Sequence, residues 1–552
     1  MLLMCSAISS ANPQVPGIAP RLPEKQRELP PGCGFIPPRM DLSHLTGQRM
    51  PLRFVALQAP VSWDWRAEGK VTPIRDQDSC GSCYAFAFLG HFESKMLLDG
   101  AGTFDFSENN AKECNWHQTS CSGGSSYVMA NWLSQGGTVL ESCDPYVDSD
   151  VSCNSSCSHV KTLLDWNIIS ANNVPSTAVL QNYIYYSGPV YTSIYAGDNN
   201  DLAWRNEFGS YDGSYTLYYG GTFEPNHAVL IVGWDDNLSH ADGSGAWIVK
   251  NSWGSNWGGT CGYGSEDGYF TIAYGSANIG MWSSYVQDWQ DYDENDEIMF
   301  YDEAGYTHCW GGGLTGWGLC EFTPSTKMYL TRVELWTSDA TTDVDVYVYD
   351  GFNGSSLVGL LASELDTSYD EAGYHSVELT SPPEIAAGND VYVTVAITNS
   401  AYTYPVTLDG EGPSESGVTY VSVNGNSGSW TQEAGYDVAI RARFTPSLAA
   451  SVDAAEGLSP HAWKLSHNYP NPFNPATTIN YSVRRRAHVD ISIYNLLGQK
   501  TSTVVNEVKT AGQHIATWDG KDHNGEPVAT GVYFYQIKAG DFTESKKMLL
   551  LK

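Results

Sequence analysis

The sequence predicts a multidomain chain, α+β in its first half and all-β behind. Three observations carry this. At 552 residues the chain exceeds what one hydrophobic core supports. Behind Cys83, the apolar residues Ala85, Phe88, Leu89, Phe92 and Met96 recur at helical spacing, and buried-strand runs follow from about residue 187. From residue 298 onward, short alternating runs such as Val344-Asp345-Val346-Tyr347-Val348-Tyr349 sit between Gly/Ser/Asp turns, the pattern of a β-sandwich.

Composition narrows the function classes. A net charge of −33 argues against a nucleic-acid binder, since phosphate would be repelled. The acidity is concentrated: residues 285–446 carry 4 Lys+Arg against 26 Asp+Glu, whereas 447–552 hold 11 basic residues. Of the 12 cysteines, eight lie between Cys80 and Cys261, without the paired C-x-x-C spacing of a zinc site. A disulfide-bearing exported protein is the better reading, and no metal or cofactor is called for. No apolar run is long enough to span a membrane.

In chain order, residues 1–11 read as the tail of a signal peptide, with a short apolar core and a small-residue exit but no basic start. Residues 12–59 form a leader whose proline density (13, 16, 20, 23, 30, 31, 37, 38 and 51) excludes long helices. The segment Gln77-Asp78-Ser79-Cys80-Gly81-Ser82-Cys83-Tyr84 then places a thiol in the first turn of a helix. Unpaired N–H groups and the positive end of the helix dipole favour thiolate there. Phe106-Ser107-Glu108 opens a second helix with Ser107 as N-cap, and Cys121-Ser122-Gly123-Gly124 follows it. Asn226-His227 directly precedes the apolar strand Ala228-Val229-Leu230-Ile231-Val232. A histidine so placed is more often structural than catalytic, but the thiol motif 144 residues upstream and the downstream run Lys250-Asn251-Ser252-Trp253-Gly254 shift that balance.

These motifs, in this order, resemble the papain-like cysteine peptidases; C-G-[SA]-C-[WY] is their signature around the nucleophile. The resemblance covers residues 60–284 and implies a two-lobed α+β catalytic domain. It implies Cys83 as nucleophile, His227 as its base, Asn251 as the group orienting the imidazole and Gln77 as oxyanion donor. It implies that Gly123, Gly124, Asn226 and Trp253 line the substrate cleft, and that Cys80 pairs with Cys121 and Cys114 with Cys153. Cys143 with Cys157 is a further candidate bridge, and Cys309 with Cys320 is expected to close a loop. Papain-like zymogens usually carry a longer, helical inhibitory propeptide, a periodicity the leader lacks.

Residues 290–446 resemble the lectin-like domain that follows some prokaryotic papain-like peptidases, for which glycan binding and a structural or adhesive role both stand open. Residues 447–464 read as an Ala/Ser/Glu linker. Residues 465–552, with Asn468-Tyr469-Pro470-Asn471-Pro472 leading into alternating strands, resemble the immunoglobulin-like modules of flagellar hook-capping proteins and of type IX secretion cargo. Asp522-His523-Asn524-Gly525 lacks an EF-hand ligand at Gly520 and is read as a hairpin turn. The implied partners are protein or peptide substrates, a cell-surface or glycan contact through the sandwich and the secretion machinery through the tail. The implied location is extracellular or the outer cell surface. A non-catalytic adhesin and a thiol acyltransferase on the same scaffold are the alternatives. The first would be marked by loss of Cys83, His227, Asn251 or Gln77, and none is lost.

Overall fold

The computed structural model describes residues 16–22, 29–45, 59–448 and 464–551, apart from 470, 472, 484–486, 510–511, 524 and 540–541. The signal-peptide reading of residues 1–11 and nearly all of the linker 447–464 lie outside the described residues. The chain divides into two compact units, residues 1–446 and 447–552.

The first unit is built on helix α1 (Cys83–Asp99), joined by α2 (Glu108–Glu113) and α3 (Ser126–Gln135). Helix α2 starts as its sequence implies: the Ser107 side chain accepts from the Asn110 N–H, one of the donors that a helix start leaves unpaired. The apolar stripe of α1 is buried, but so is everything from Cys83 to Ser94, polar residues included. The helix runs through the interior and each buried polar group needs a partner. His91, for instance, accepts from the Val286 N–H through Nε2 and donates from Nδ1 to the Pro189 carbonyl.

Packed on α1 is an antiparallel sheet. Its order is Tyr269–Ala273, Gly243–Lys250, His227–His240, Val190–Ile194, Met281–Asp291 and Lys161–Ile168. It does not stop at the edge of the first domain. Lys161–Ile168 pairs with Gly373–Glu378 of the β-rich region, in the register Asn167↔Gly373 and Trp166↔Tyr374. The sheet continues through Met328–Thr337 and Ile440–Thr445 to Glu297–Met299. A glycine is needed at 373, because a Cβ there would lie 1.9 Å from the Trp166 carbonyl oxygen. The seam is tied again at Arg441. It is fully buried and bonded to Asp302 (Nε–Oδ1 2.9 Å, Nη2–Oδ2 2.8 Å), to Ser134 Oγ at 2.7 Å and to Asn131. A buried guanidinium persists when its charge and donors are matched in this way.

The second sheet of the sandwich has the order Leu357–Tyr369, Thr342–Phe352, Val391–Asn399, Thr315–Phe322 and Thr419–Ser422. Val344, Val346 and Val348 face its core, as the alternating pattern requires. One sequence expectation fails here: Cys309 and Cys320 are not bonded. Cys309 stands on His308–Gly311, in a separate sheet from Cys320 on Thr315–Phe322. Each thiol is buried against its own neighbours, Cys309 at 3.0 Å from the Tyr306 hydroxyl and Cys320 at 3.5 Å from the Val438 carbonyl. Nearness in sequence did not bring the two Cβ atoms together. Bonds do join Cys80 to Cys121, Cys114 to Cys153 and Cys143 to Cys157.

The second unit is a seven-stranded β domain. Three strands (Lys464–Tyr469, Thr477–Val483, Gly512–Trp518) and four (Lys500–Lys509, Ala487–Asn495, Gly531–Ala539, Phe542–Leu550) enclose Ile479, Tyr481, Ile491, Trp518 and Tyr535.

Candidate active site

Cys83 is the first residue of α1, and the strand beginning at His227 faces it from the other lobe. The Ala228 N–H donates to Cys83 Sγ at 3.3 Å. His227 Nε2 lies 2.8 Å from Asn251 Oδ1. An amide oxygen only accepts, so the proton sits on Nε2 and Nδ1 is left as the basic nitrogen. Nδ1 is buried and has no hydrogen-bond partner. The Trp253 ring lies 4.9 Å from the imidazole, tilted by 35°, and walls off the His227–Asn251 bond.

Gln77 is fixed at both ends. Its Nε2 donates to the Cys80 carbonyl at 2.7 Å, its Oε1 accepts from Ser252 Oγ at 2.6 Å, and its backbone N–H donates to the Ser252 carbonyl. One of its two amide protons is thereby used and the other remains for a ligand oxygen. Asn226 enters the cleft differently from its sequence reading. Its side chain braces the loop at 196–197, while its main-chain carbonyl faces the cleft.

That carbonyl is occupied within the cleft. The leader lies in it. Trp253 Nε1 donates to the Gly32 carbonyl at 3.0 Å, and the Phe35 N–H donates to the Asn226 carbonyl at 3.0 Å. Gly124 and the leader exchange two bonds, Gly124 N–H to Gly34 O at 2.8 Å and Ile36 N–H to Gly124 O at 2.9 Å, in a parallel bridge. The Gly34 N–H, like that of Ala228, acts on the Cys83 thiol. Cys83 and His227 are left with no exposed surface. The approach is close: a Cβ on Gly34 would sit 1.7 Å from the Gly81 carbonyl oxygen, and one on Gly123 would sit 2.6 Å from Gly34 O.

Sequence reasoning missed residues 32–36. The available signal was Pro30-Pro31-Gly32-Cys33-Gly34-Phe35-Ile36-Pro37-Pro38, where proline pairs impose extended backbone around two glycines that permit close contact.

Covering the cleft reverses the expected electrostatics. Burial pushes the Cys83 thiol up to about 12, against the N–H groups of Ala228, Gly34, Tyr84 and Cys83 itself, which pull it down. Burial also pulls His227 down to about 4, outweighing the opposite effect of Asn251. The helix start acts on the thiol in the expected direction, but desolvation wins. In the covered cleft both groups are neutral.

Residues 59–287 match the family model for papain family cysteine protease. Cysteine proteinase 1 of Entamoeba histolytica is 31% identical over 241 residues, which are 42% of this chain and 69% of that protein. The chain belongs to the papain family of cysteine proteases. It is a cysteine-type peptidase. Cathepsin J of Rattus norvegicus is 32% identical over 219 residues, covering 37% of the peptidase chain and 59% of its own. Residues 298–443 match a lectin-like domain and 467–551 a secretion system C-terminal sorting domain. Among solved structures, the cysteine protease and lectin-like domains of Cwp84, a surface layer associated protein of Clostridium difficile, share the fold. The TM-score is 0.61 at 20% identity, over 75% of this peptidase and 93% of that chain.

Two outcomes follow from the covered site. Gly34→Ala is expected to expel the leader, because the new methyl group overlaps backbone. Hydrogen exchange of the segment 32–38 in the full chain should lose its protection, while Gly17→Ala, with nothing within 4 Å of its Cβ, should keep it; equal protection in both would contradict the contact. The second concerns pH. His227 titrates near 4 when covered, and its ordinary value is 6.5. Between these values the open cleft binds a proton that the covered cleft does not, so falling pH favours opening. A synthetic 29–45 peptide should therefore bind leader-free Cys83→Ala protein about tenfold more weakly per pH unit from 6.5 down toward 4. A flat Kd over that range would contradict it.

Proposed function

We propose that this peptidase hydrolyses peptide bonds with Cys83 as nucleophile and His227 as general base and acid, and that it is held latent by its own leader. The observation carrying this is the polarised imidazole: Nε2–H bound to Asn251, with an unpartnered Nδ1 in the cleft that holds Cys83. Once the leader departs, water returns and the burial cost that keeps both groups neutral falls away. The proton of Cys83 passes to Nδ1, giving a thiolate beside an imidazolium. Asn251 holds the ring without adding a charge. The thiolate attacks the scissile carbonyl carbon, and the oxyanion meets the free Gln77 amide proton and the Cys83 N–H. His227 then protonates the leaving amine, and a water attacks the thioester with His227 as base.

Gly124 and the Asn226 carbonyl, which bind the leader backbone, are the groups that would bind a substrate backbone in its place. Protein substrates follow from the peptidase class. The sorting domain supports export to the outer surface or the medium, and the lectin-like domain supports surface or glycan contact. No helix among the described residues is long and apolar enough to cross a membrane.

The test is casein hydrolysis by reduced protein after leader removal. Wild type should cleave, and Cys83→Ala should not. Gln77→Ala should lose about 10²–10³ in kcat, the usual value of one oxyanion donor, with KM little changed. Absence of cleavage by the leader-free wild type would overturn the assignment and favour the adhesin.

A further inference from the structure

The leader brings a second thiol to the nucleophile. Cys33 is unbonded and 3% exposed, and Cys83 is unbonded and fully buried. The next residue after Cys33, Gly34, lies against the turn of the nucleophile, since a Cβ on it would sit 1.7 Å from the Gly81 carbonyl oxygen, and its N–H acts on the Cys83 thiol. The Cys33 carbonyl lies against Gly81, two residues before Cys83, where a Cβ would meet it at 3.0 Å. Cys33 thus packs beside the turn that carries Cys83, with its side chain among Ala196 and Trp204, and turning that side chain toward Cys83 would bring the pair to a disulfide, whose Cα atoms stand about 4.4–6.8 Å apart. The other unbonded cysteines among the described residues have different surroundings. Cys261 sits by Arg66 and Tyr211, Cys309 by Tyr306 and Cys320 by Val438. The lobe around Cys83 already holds three disulfides, one of them at Cys80, so the chain matures where thiols are oxidised.

We propose that Cys33 and Cys83 form a reversible disulfide that locks the leader over the cleft, a covalent latent state on top of the hydrogen-bonded one. This rests on Cys83 being the nucleophile. The oxidant is a small disulfide of the glutathione class. It reaches Cys33 through a solvent-open groove lined by Pro31, Cys33, Ser79, Arg205 and Trp253; burial and the neighbouring Cys83 push the Cys33 thiol up, while the Arg205 guanidinium opposes them and attracts an anionic reagent. The Cys33 thiolate attacks one sulfur of the oxidant and releases a first thiol. The Cys83 sulfur then attacks Cys33 Sγ in the mixed disulfide and releases a second. Two electrons pass from the two cysteines to the oxidant, and the two protons end on the released thiols. A thiol reductant runs the same steps backwards and frees the nucleophile.

The test uses the full-length protein equilibrated across ratios of oxidised to reduced glutathione, alkylated, digested without reduction and mass-mapped. The expected result is a Cys33–Cys83 linked peptide in the oxidised samples. With it should go loss of the Cys83 thiol from alkylation carried out after acid quenching and denaturation, regained when reductant is added before the quench. Cys33→Ser and Cys33→Ala should keep an alkylatable Cys83 throughout, with the Cys80–Cys121 bridge mapped as the check on folding. A Cys83 that stays a free thiol in oxidised wild type, or appears only as a glutathione adduct, would overturn the latch. Casein cleavage by reduced, leader-free wild type is read in parallel. Its absence would sink the nucleophile assignment, whereas the mapped bridge reports on the latch alone.

Discussion

Exclusion of water from the Cys83–His227 pair is the constraint around which the first unit is arranged. A thiol in the first turn of a helix, beside an imidazole, is set up to ionise. In the covered cleft it does not, because the leader replaces solvent and the cost of burying charge exceeds what the surrounding N–H groups return. That exclusion depends on backbone packed against backbone at Gly34, Gly81 and Gly123, with no side chains between. The same geometry keeps the closed cleft neutral.

The β-sandwich holds the leader at both ends. Before the cleft, Gly17 and Ile18 pair with Gly311 and Trp310, the Ala19 N–H donates to the Cys309 carbonyl, and Arg21 meets Glu411 at 2.5 Å. Beyond the cleft, His44 Nε2 contacts the Ser338 carbonyl at 2.6 Å and its ring stacks on Tyr402 at 3.7 Å. Each bond is worth about 0.5–1.5 kcal/mol net, so no single one holds the segment. The sandwich shares a sheet with the first domain and is bolted to it by Arg441, so these anchors and the cleft belong to one compact unit. The described part of the leader is thus held by the domain downstream.

Much of the site was legible because its parts are short motifs with local causes. Ser107 caps its helix, a glycine pair lines a cleft, and a histidine opens a buried strand, and in each case neighbours in sequence set the geometry. What stayed hidden depended on distant parts of the chain. Cys309 and Cys320 look like a loop closure until each is seen on its own sheet. The all-round burial of α1 exceeds its apolar stripe because the sheet and both neighbouring helices pack around it. Asn226 contributes a carbonyl, which carries no side-chain signature. The composition shift near residue 298 marks a domain without revealing a sheet that crosses it, since backbone pairing at Asn167 and Gly373 leaves little trace in side-chain pattern.

The most direct test of the account is the rate at which a peptide epoxysuccinate labels Cys83 in reduced protein, with the leader in place and after its removal. The account predicts negligible labelling of the intact chain and rapid labelling at Cys83 once residues 29–45 are gone. Equal rates in the two forms would contradict it, because they would mean that the leader does not cover the thiol.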